Sequence, residues 1–180
     1  TMGRGIAQLA AQRGIEARLF DPSKAQLELA LGDVTNQLEK LVAKGKLSEA
    51  EKSGSLARLV SAGDLETACR GADVIVEAAP ESMDLKVHLF TEVREHAPAH
   101  ALLGSNTSSL SITELGQRCA APERTIGLHF FNPPPGMPLL EIVRGLGTSE
   151  ASAERALGLA KQLGKEPIVV RDFPGFATSR

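Results

Sequence analysis

Two residues stand where chemistry is easiest to imagine. His129 lies in the run Gly127-Leu128-His129-Phe130-Phe131-Asn132-Pro133, and Glu141 lies in Leu139-Leu140-Glu141-Ile142-Val143. An imidazole is the only side chain whose unperturbed pKa suits proton transfer near neutral pH, and a partner carboxylate can fix its tautomer and raise its basicity. Glu141 interrupts a short apolar run that reads as a buried strand, where an acid is costly unless something pairs with it. A lone histidine among apolar neighbours is more often a satisfied core residue than a catalyst. The nearby acid tips the reading toward an enzyme.

Other polar runs sit close to these. Ser105-Asn106-Thr107-Ser108-Ser109 offers five consecutive polar side chains after an apolar stretch, suited to a ligand or equally to a helix cap. Asn132-Pro133-Pro134-Pro135-Gly136 has little rotational freedom and reads either as a fixed wall or as a stiff turn. Thr1-Met2-Gly3-Arg4-Gly5-Ile6-Ala7 is similar to the back half of a G-x-G-x-x-G fingerprint, with only its third glycine present, as Gly3. Asp21 closes the next strand, where a carboxylate can accept from both ribose hydroxyls and repel a 2′-phosphate, although it also suits a plain helix cap before Pro22. Gly3 and Asp21 together favour NAD over NADP.

The elements that must position these groups follow from periodicity. A helix is expected from Arg4 to Gly14, a strand over residues 16–21, and a helical hairpin over residues 24–60. Leu27, Leu31, Val34, Leu38 and Leu41 form the stripe of its first arm, and a Ser48/Glu51 capping box opens the second, which runs through Leu56 and Leu59. Strand and helix then alternate: strands at 73–78, 101–103, 125–130, 139–143 and 167–170, helices at 85–93, 110–118 and 150–163. Such alternation predicts an α/β fold, a largely parallel sheet with helices on both faces that binds ligands beyond the carboxyl ends of its strands. Asp21, the 77–81 turn, the 105–109 loop and His129 all fall at or just past strand ends.

The chain has 180 residues and 42% hydrophobic content, enough for one packed domain spanning 1–180. Twenty Lys and Arg stand against 22 Asp and Glu, so no positive field recruits nucleic acid or an anionic membrane, and neither partner is expected. Cys69 and Cys119 have no metal-type spacing, and no metal is expected; as free thiols they suit a reducing, cytoplasmic setting. No apolar run approaches the roughly 20 residues of a membrane helix.

Taken together, Thr-Met-Gly-x-Gly-Ile-Ala, Val-Glu-Ala-x-Pro-Glu, Ser-Asn-Thr-Ser-Ser-Leu, His-Phe-Phe-Asn-Pro-Pro and Pro-Gly-Phe occur in the order and approximate spacing of one family. Over nearly its whole length the chain resembles the NAD-binding domain of L-3-hydroxyacyl-CoA dehydrogenases. The resemblance implies a Rossmann-like, doubly wound fold with a helical hairpin insertion. It implies that His129 removes the proton of the substrate 3-hydroxyl while hydride passes to the nicotinamide, with Glu141 orienting the ring. By the same resemblance Ser108 contacts the substrate oxygen near the nicotinamide, Asn132 supports the pocket, and Asp21 holds the adenosine ribose. Glu81 and Lys86 would position the nicotinamide half, and Lys44 on the hairpin would meet the coenzyme A moiety of an acyl-CoA substrate. Each of these last three also reads as a solvated surface charge.

Departures from the pattern carry expectations too. The family's first strand and first two glycines have no counterpart here, which suggests an N-terminally trimmed piece. In the family a helical domain that completes the cleft and forms a homodimer follows the equivalent of Arg180, so little activity is expected of the 180 residues alone. Ser179 stands where many members carry a substrate-binding asparagine. Two further readings stay open: a dehydrogenase of a free hydroxy acid, and a non-catalytic NAD-binding module.

Overall fold

The computed structural model describes residues 2–173 and 176. Contacts divide the chain into two units, one formed by residues 1–68 with 132–136 and the other by residues 69–131 with 137–180.

In the first unit, α1 (Met2–Gln12) buries Ile6, Ala7, Leu9 and Ala11 and stops where Gly14 takes a left-handed φ of +84°. Gly5 is needed for close packing, because a Cβ there would meet Pro134 Cδ at 2.8 Å. β1 (Ala17–Leu19) leads through Asp21 to α2 (Lys24–Ala43), whose N-cap Ser23 accepts from the Gln26 amide. Of the expected stripe, Leu27, Val34 and Leu38 are buried, while Leu31 and Leu41 are half-buried. The Ser48/Glu51 capping box forms as expected at the start of α3 (Glu49–Ala57).

The hairpin ends earlier than its pattern suggested. α3 stops at Ala57, and Leu59 opens β2 (Leu59–Ser61), which pairs in parallel with β1 through Ala17↔Leu59 and Leu19↔Ser61. Leu56 and Leu59 sit at helical spacing, so the local pattern cannot distinguish another turn of helix from a short strand whose pairing is decided 42 residues away in sequence, at Ala17. α4 (Leu65–Cys69) follows.

The second unit holds β3 (Val74–Glu77), α5 (Met83–His96), β4 (Leu102–Ser105), α6 (Ile112–Arg118), β5 (Thr125–Phe130), β6 (Leu139–Arg144), α7 (Glu150–Gln162) and β7 (Glu166–Arg171). The strands form one sheet in the order β3-β4-β5-β6-β7. Every neighbouring pair is parallel except β5 and β6, which are antiparallel. This is a Rossmann-like α/β arrangement, largely parallel as expected, with one reversal. The short Pro-rich link between β5 and β6 explains the reversal, since a parallel crossover needs a dozen or more residues. Leu102, Leu103, Ile126, Leu128, Leu140 and Ile142 are buried in the core. Serine caps α5, α6 and α7 through Ser82, Ser111 and Ser149. Among the described residues, no helix is long and apolar enough to cross a membrane.

Candidate active site

The β5/β6 reversal builds the acid–base pair. In that ladder His129 lies directly opposite Glu141, and residues paired in this way project from the same face of the sheet. His129 Nδ1 lies 2.6 Å from Glu141 Oε2. Glu141 is fully buried and the His129 side chain is 9% exposed. On the same face, Gly127 sits opposite Val143, and a Cβ on Gly127 would fall 2.6 Å from Val143 Cβ. The rings of Phe131 and Phe176 lean on the imidazole, with centroids 4.5 Å and 6.0 Å away. Phe176 also packs with Val143 and Ile112. Asp172 accepts from Ser111 Oγ and the Thr113 amide at 2.7 Å and 2.8 Å, joining the end of β7 to the start of α6.

A second polar cluster occupies the carboxyl ends of β3 and β4. Lys86 was read as a solvated charge or a cofactor contact; the solvated reading is wrong, because its side chain is only 1% exposed. Its ammonium lies 2.7 Å from Glu77 Oε1, donates to the Ala79 carbonyl at 3.1 Å and stands 3.5 Å from Glu81 Oε2. A buried ammonium is tolerated only with such partners. Glu77 also accepts from Ser105 Oγ at 2.6 Å and from the Ala79 amide. Glu81 Oε1 gathers the 107–109 loop, accepting from Thr107 Oγ1 and, at 3.1 Å each, from the Ser108 amide and Ser109 Oγ. Burial pushes the Glu81 carboxyl up, but its Thr107, Lys86, Ser108 and Ser109 partners outweigh that and hold it below its ordinary value. Ser108 itself is exposed. Asn106 Oδ1 accepts from the Phe130 amide at 2.9 Å, which fastens this loop to β5 beside His129.

Asp21, Gly3, Lys44 and Asn132 belong to the first unit. Asp21 follows β1, and its Oδ1 accepts from the Ser23 amide at 2.9 Å; the other oxygen has no hydrogen-bond partner among the described residues. The carboxylate borders a cavity of about 450 Å³ whose apolar wall includes Phe20, Leu27, Leu31 and Leu65. An acceptor beside an apolar slot suits a ribose carrying a flat base. Gly3 lies in the first turn of α1, where helix amides have no intrahelical acceptor. Lys44 caps the C-terminal end of α2 and is exposed, separated from Asp21 by the whole helix, about 30 Å at 1.5 Å per residue. Asn132 is exposed and precedes a cis peptide to Pro133. Ser179 lies outside the described residues.

The 3-hydroxyacyl-CoA dehydrogenase NAD binding domain model matches residues 1–173. The chain belongs to this family. Within it, the chain is 41% identical over 179 residues to the probable 3-hydroxybutyryl-CoA dehydrogenase of Bacillus subtilis, a match covering 99% of this chain and 62% of that protein. It is 39% identical to the 3-hydroxyadipyl-CoA dehydrogenase of Escherichia coli K12, covering 100% of this chain and 38% of that one. The crystal structure of (S)-3-hydroxybutyryl-CoA dehydrogenase from Ralstonia eutropha superposes with a TM-score of 0.94 at 39% identity, over 98% of this chain and 62% of that one. The chain thus spans less than two thirds of these relatives. Family membership makes NAD the cofactor, and the lone acceptor at Asp21 beside an apolar slot fits its adenosine end.

Sequence reasoning passed over Glu77, Ser105, Asn106 and Phe176 as individual residues, although each lies in a quoted motif, and over Asp172 altogether. Glu77 was within reach: an acid closing Asp73-Val74-Ile75-Val76 raises the same burial question as Glu141 in its own strand. For Asp172 no local signal existed, and the Pro-Gly-Phe motif gave Phe176 no role, since their partners lie 61 and 47 residues away in sequence, at Ser111 and His129.

Proposed function

We propose that this chain carries the nucleotide site and the proton-transfer pair of an oxidoreductase interconverting L-3-hydroxyacyl-CoA and 3-ketoacyl-CoA. The observation that carries the reading is the 2.6 Å approach of His129 Nδ1 to Glu141 Oε2. An ionised carboxylate only accepts hydrogen bonds, so Nδ1 holds a proton and Nε2 keeps its lone pair. Nε2 then takes the proton of the substrate 3-hydroxyl, and Glu141 stabilises the imidazolium that forms. In the reverse direction the imidazolium returns the proton to the carbonyl oxygen. Bound NAD supplies the hydride acceptor at its nicotinamide. Phe131 and Phe176 keep water from the ring, which strengthens its bond to Glu141.

Asp21 holds the adenosine ribose, Gly3 leaves room at the α1 start for the pyrophosphate, and Glu81 with Lys86 shapes the nicotinamide side. Ser108 and Asn132 bind the substrate's reacting end; Lys44, and Ser179 in the segment outside the described residues, make further substrate contacts. The acyl-CoA class comes from the relatives, named for 3-hydroxybutyryl-CoA and 3-hydroxyadipyl-CoA. A homodimeric parent in the cytoplasm belongs to the same proposal.

The test compares substrates. Full-length protein is assayed for NAD reduction with 3-hydroxybutyryl-CoA and with free 3-hydroxybutyrate, each with the parent and with Glu141→Gln. Turnover of the thioester alone, slowed in the variant, supports the reading. Equal turnover of the free acid points to a hydroxy-acid dehydrogenase, and no turnover of either points to a non-catalytic module.

A further inference from the structure

Lys86 faces two carboxylates, and they share the work unequally. Glu77 stands 2.7 Å from its ammonium, whereas Glu81 stands 3.5 Å away, beyond a good hydrogen bond. The Glu77 side chain is only 5% exposed and both its oxygens are engaged, Oε1 by Lys86 and the Ala79 amide, Oε2 by Ser105. Oε2 accepts only the one bond, but at 5% exposure Glu77 presents almost no surface to a ligand. Glu81, by contrast, gives its Oε1 to the three donors of the 107–109 loop.

We propose that Glu77 is a positioning residue: it neutralises the buried Lys86 ammonium so that Glu81 remains free to hold the 107–109 loop, and with it Ser108, in place. Removing the Glu77 charge leaves the ammonium in a site that water does not reach. The nearest remaining anion is Glu81, and the attraction that closes the 3.5 Å gap draws that carboxylate off the loop. Ser108 then loses the acceptor of its amide. The loop geometry stands independently of ligand; its consequence for NAD rests on the reading proposed above.

The decisive measurement is amide exchange at Ser108 in the full chain, followed by NMR without ligand. Glu77→Gln is expected to speed that exchange about 10-fold, and Glu77→Leu/Lys86→Met, which removes both charges, to return it to within about 3-fold of the parent. The double variant leaves no buried charge behind, so it keeps the idea testable if Glu77→Gln does not fold. Unchanged exchange in Glu77→Gln, or fast exchange in a folded double variant, overturns the proposal.

NAD titration of the parent and of Glu77→Gln separates the two readings. Weakened NAD binding in Glu77→Gln together with faster Ser108 exchange supports both; the double variant, which lacks Lys86, is read by exchange alone. If Ser108 exchange responds as expected while the parent binds no NAD, the positioning role stands and the functional reading fails.

Discussion

His129 meets Glu141 at 2.6 Å and Lys86 meets Glu77 at 2.7 Å, both nearly out of reach of water. Distance and burial do not separate the two pairs; what is left over does. Around Lys86 the ammonium is shared by Glu77, the Ala79 carbonyl and Glu81, and Glu77, with a side chain only 5% exposed, also accepts from Ser105 and the Ala79 amide. Around His129, one ring nitrogen is fixed by Glu141 and the other has no hydrogen-bond partner among the described residues. A closed set of hydrogen bonds holds loops in place, while an open one can exchange a proton with a ligand. Asp21, with one oxygen capping Ser23 and the other unengaged, falls on the open side of that division.

The hardest test of the division is His129→Gln in the full-length protein. It should lower kcat roughly 10²- to 10⁴-fold, the usual contribution of a general base, with NAD affinity nearly unchanged. Turnover that survives would place His129 with the scaffold. Lys86→Met should act mainly on stability, costing about 3–5 kcal/mol in denaturant unfolding because Glu77 is left as an uncompensated buried charge. A neutral unfolding result would show that the cluster is less closed than its geometry implies. Asp21→Asn should weaken NAD binding roughly 10-fold and narrow the preference over NADP, as expected for losing one charge-assisted hydrogen bond. Calorimetric titration with each dinucleotide reads this directly.

The smallest expected effect concerns pH. The Glu81 carboxyl is held below its ordinary value in the fold, so its contribution to stability is complete above the unfolded value and is lost as pH falls through the lowered folded one. Unfolding midpoints of the parent should therefore drop more steeply on acidification than those of Glu81→Gln. Parallel curves for the two proteins would remove Glu81 as a titrating latch.

Much of the scaffold was legible in local pattern. β5 matches its expected bounds at Thr125–Phe130, the Ser48/Glu51 box forms, and α7 begins at Glu150 as periodicity required. Each of these rests on side-chain period or cap chemistry within a few residues. β2 escaped because three residues are too few to show a period, and the burial of Lys86 escaped because its residue type is normally solvated.

The sequence alone determined that His129 and Glu141 each lie within a strand and that a buried acid there needs a partner. Only the tertiary structure decided that each is the other's partner. Side-chain alternation is a property of one strand, whereas register and sense belong to a pair, and shifting the β5/β6 ladder by a single residue would turn Glu141 to the opposite face of the sheet. The burial of Lys86 has the same origin: ordinary local sequence becomes a closed ionic cluster only where β3, β4 and α5 bring Glu77, Ser105 and the ammonium together.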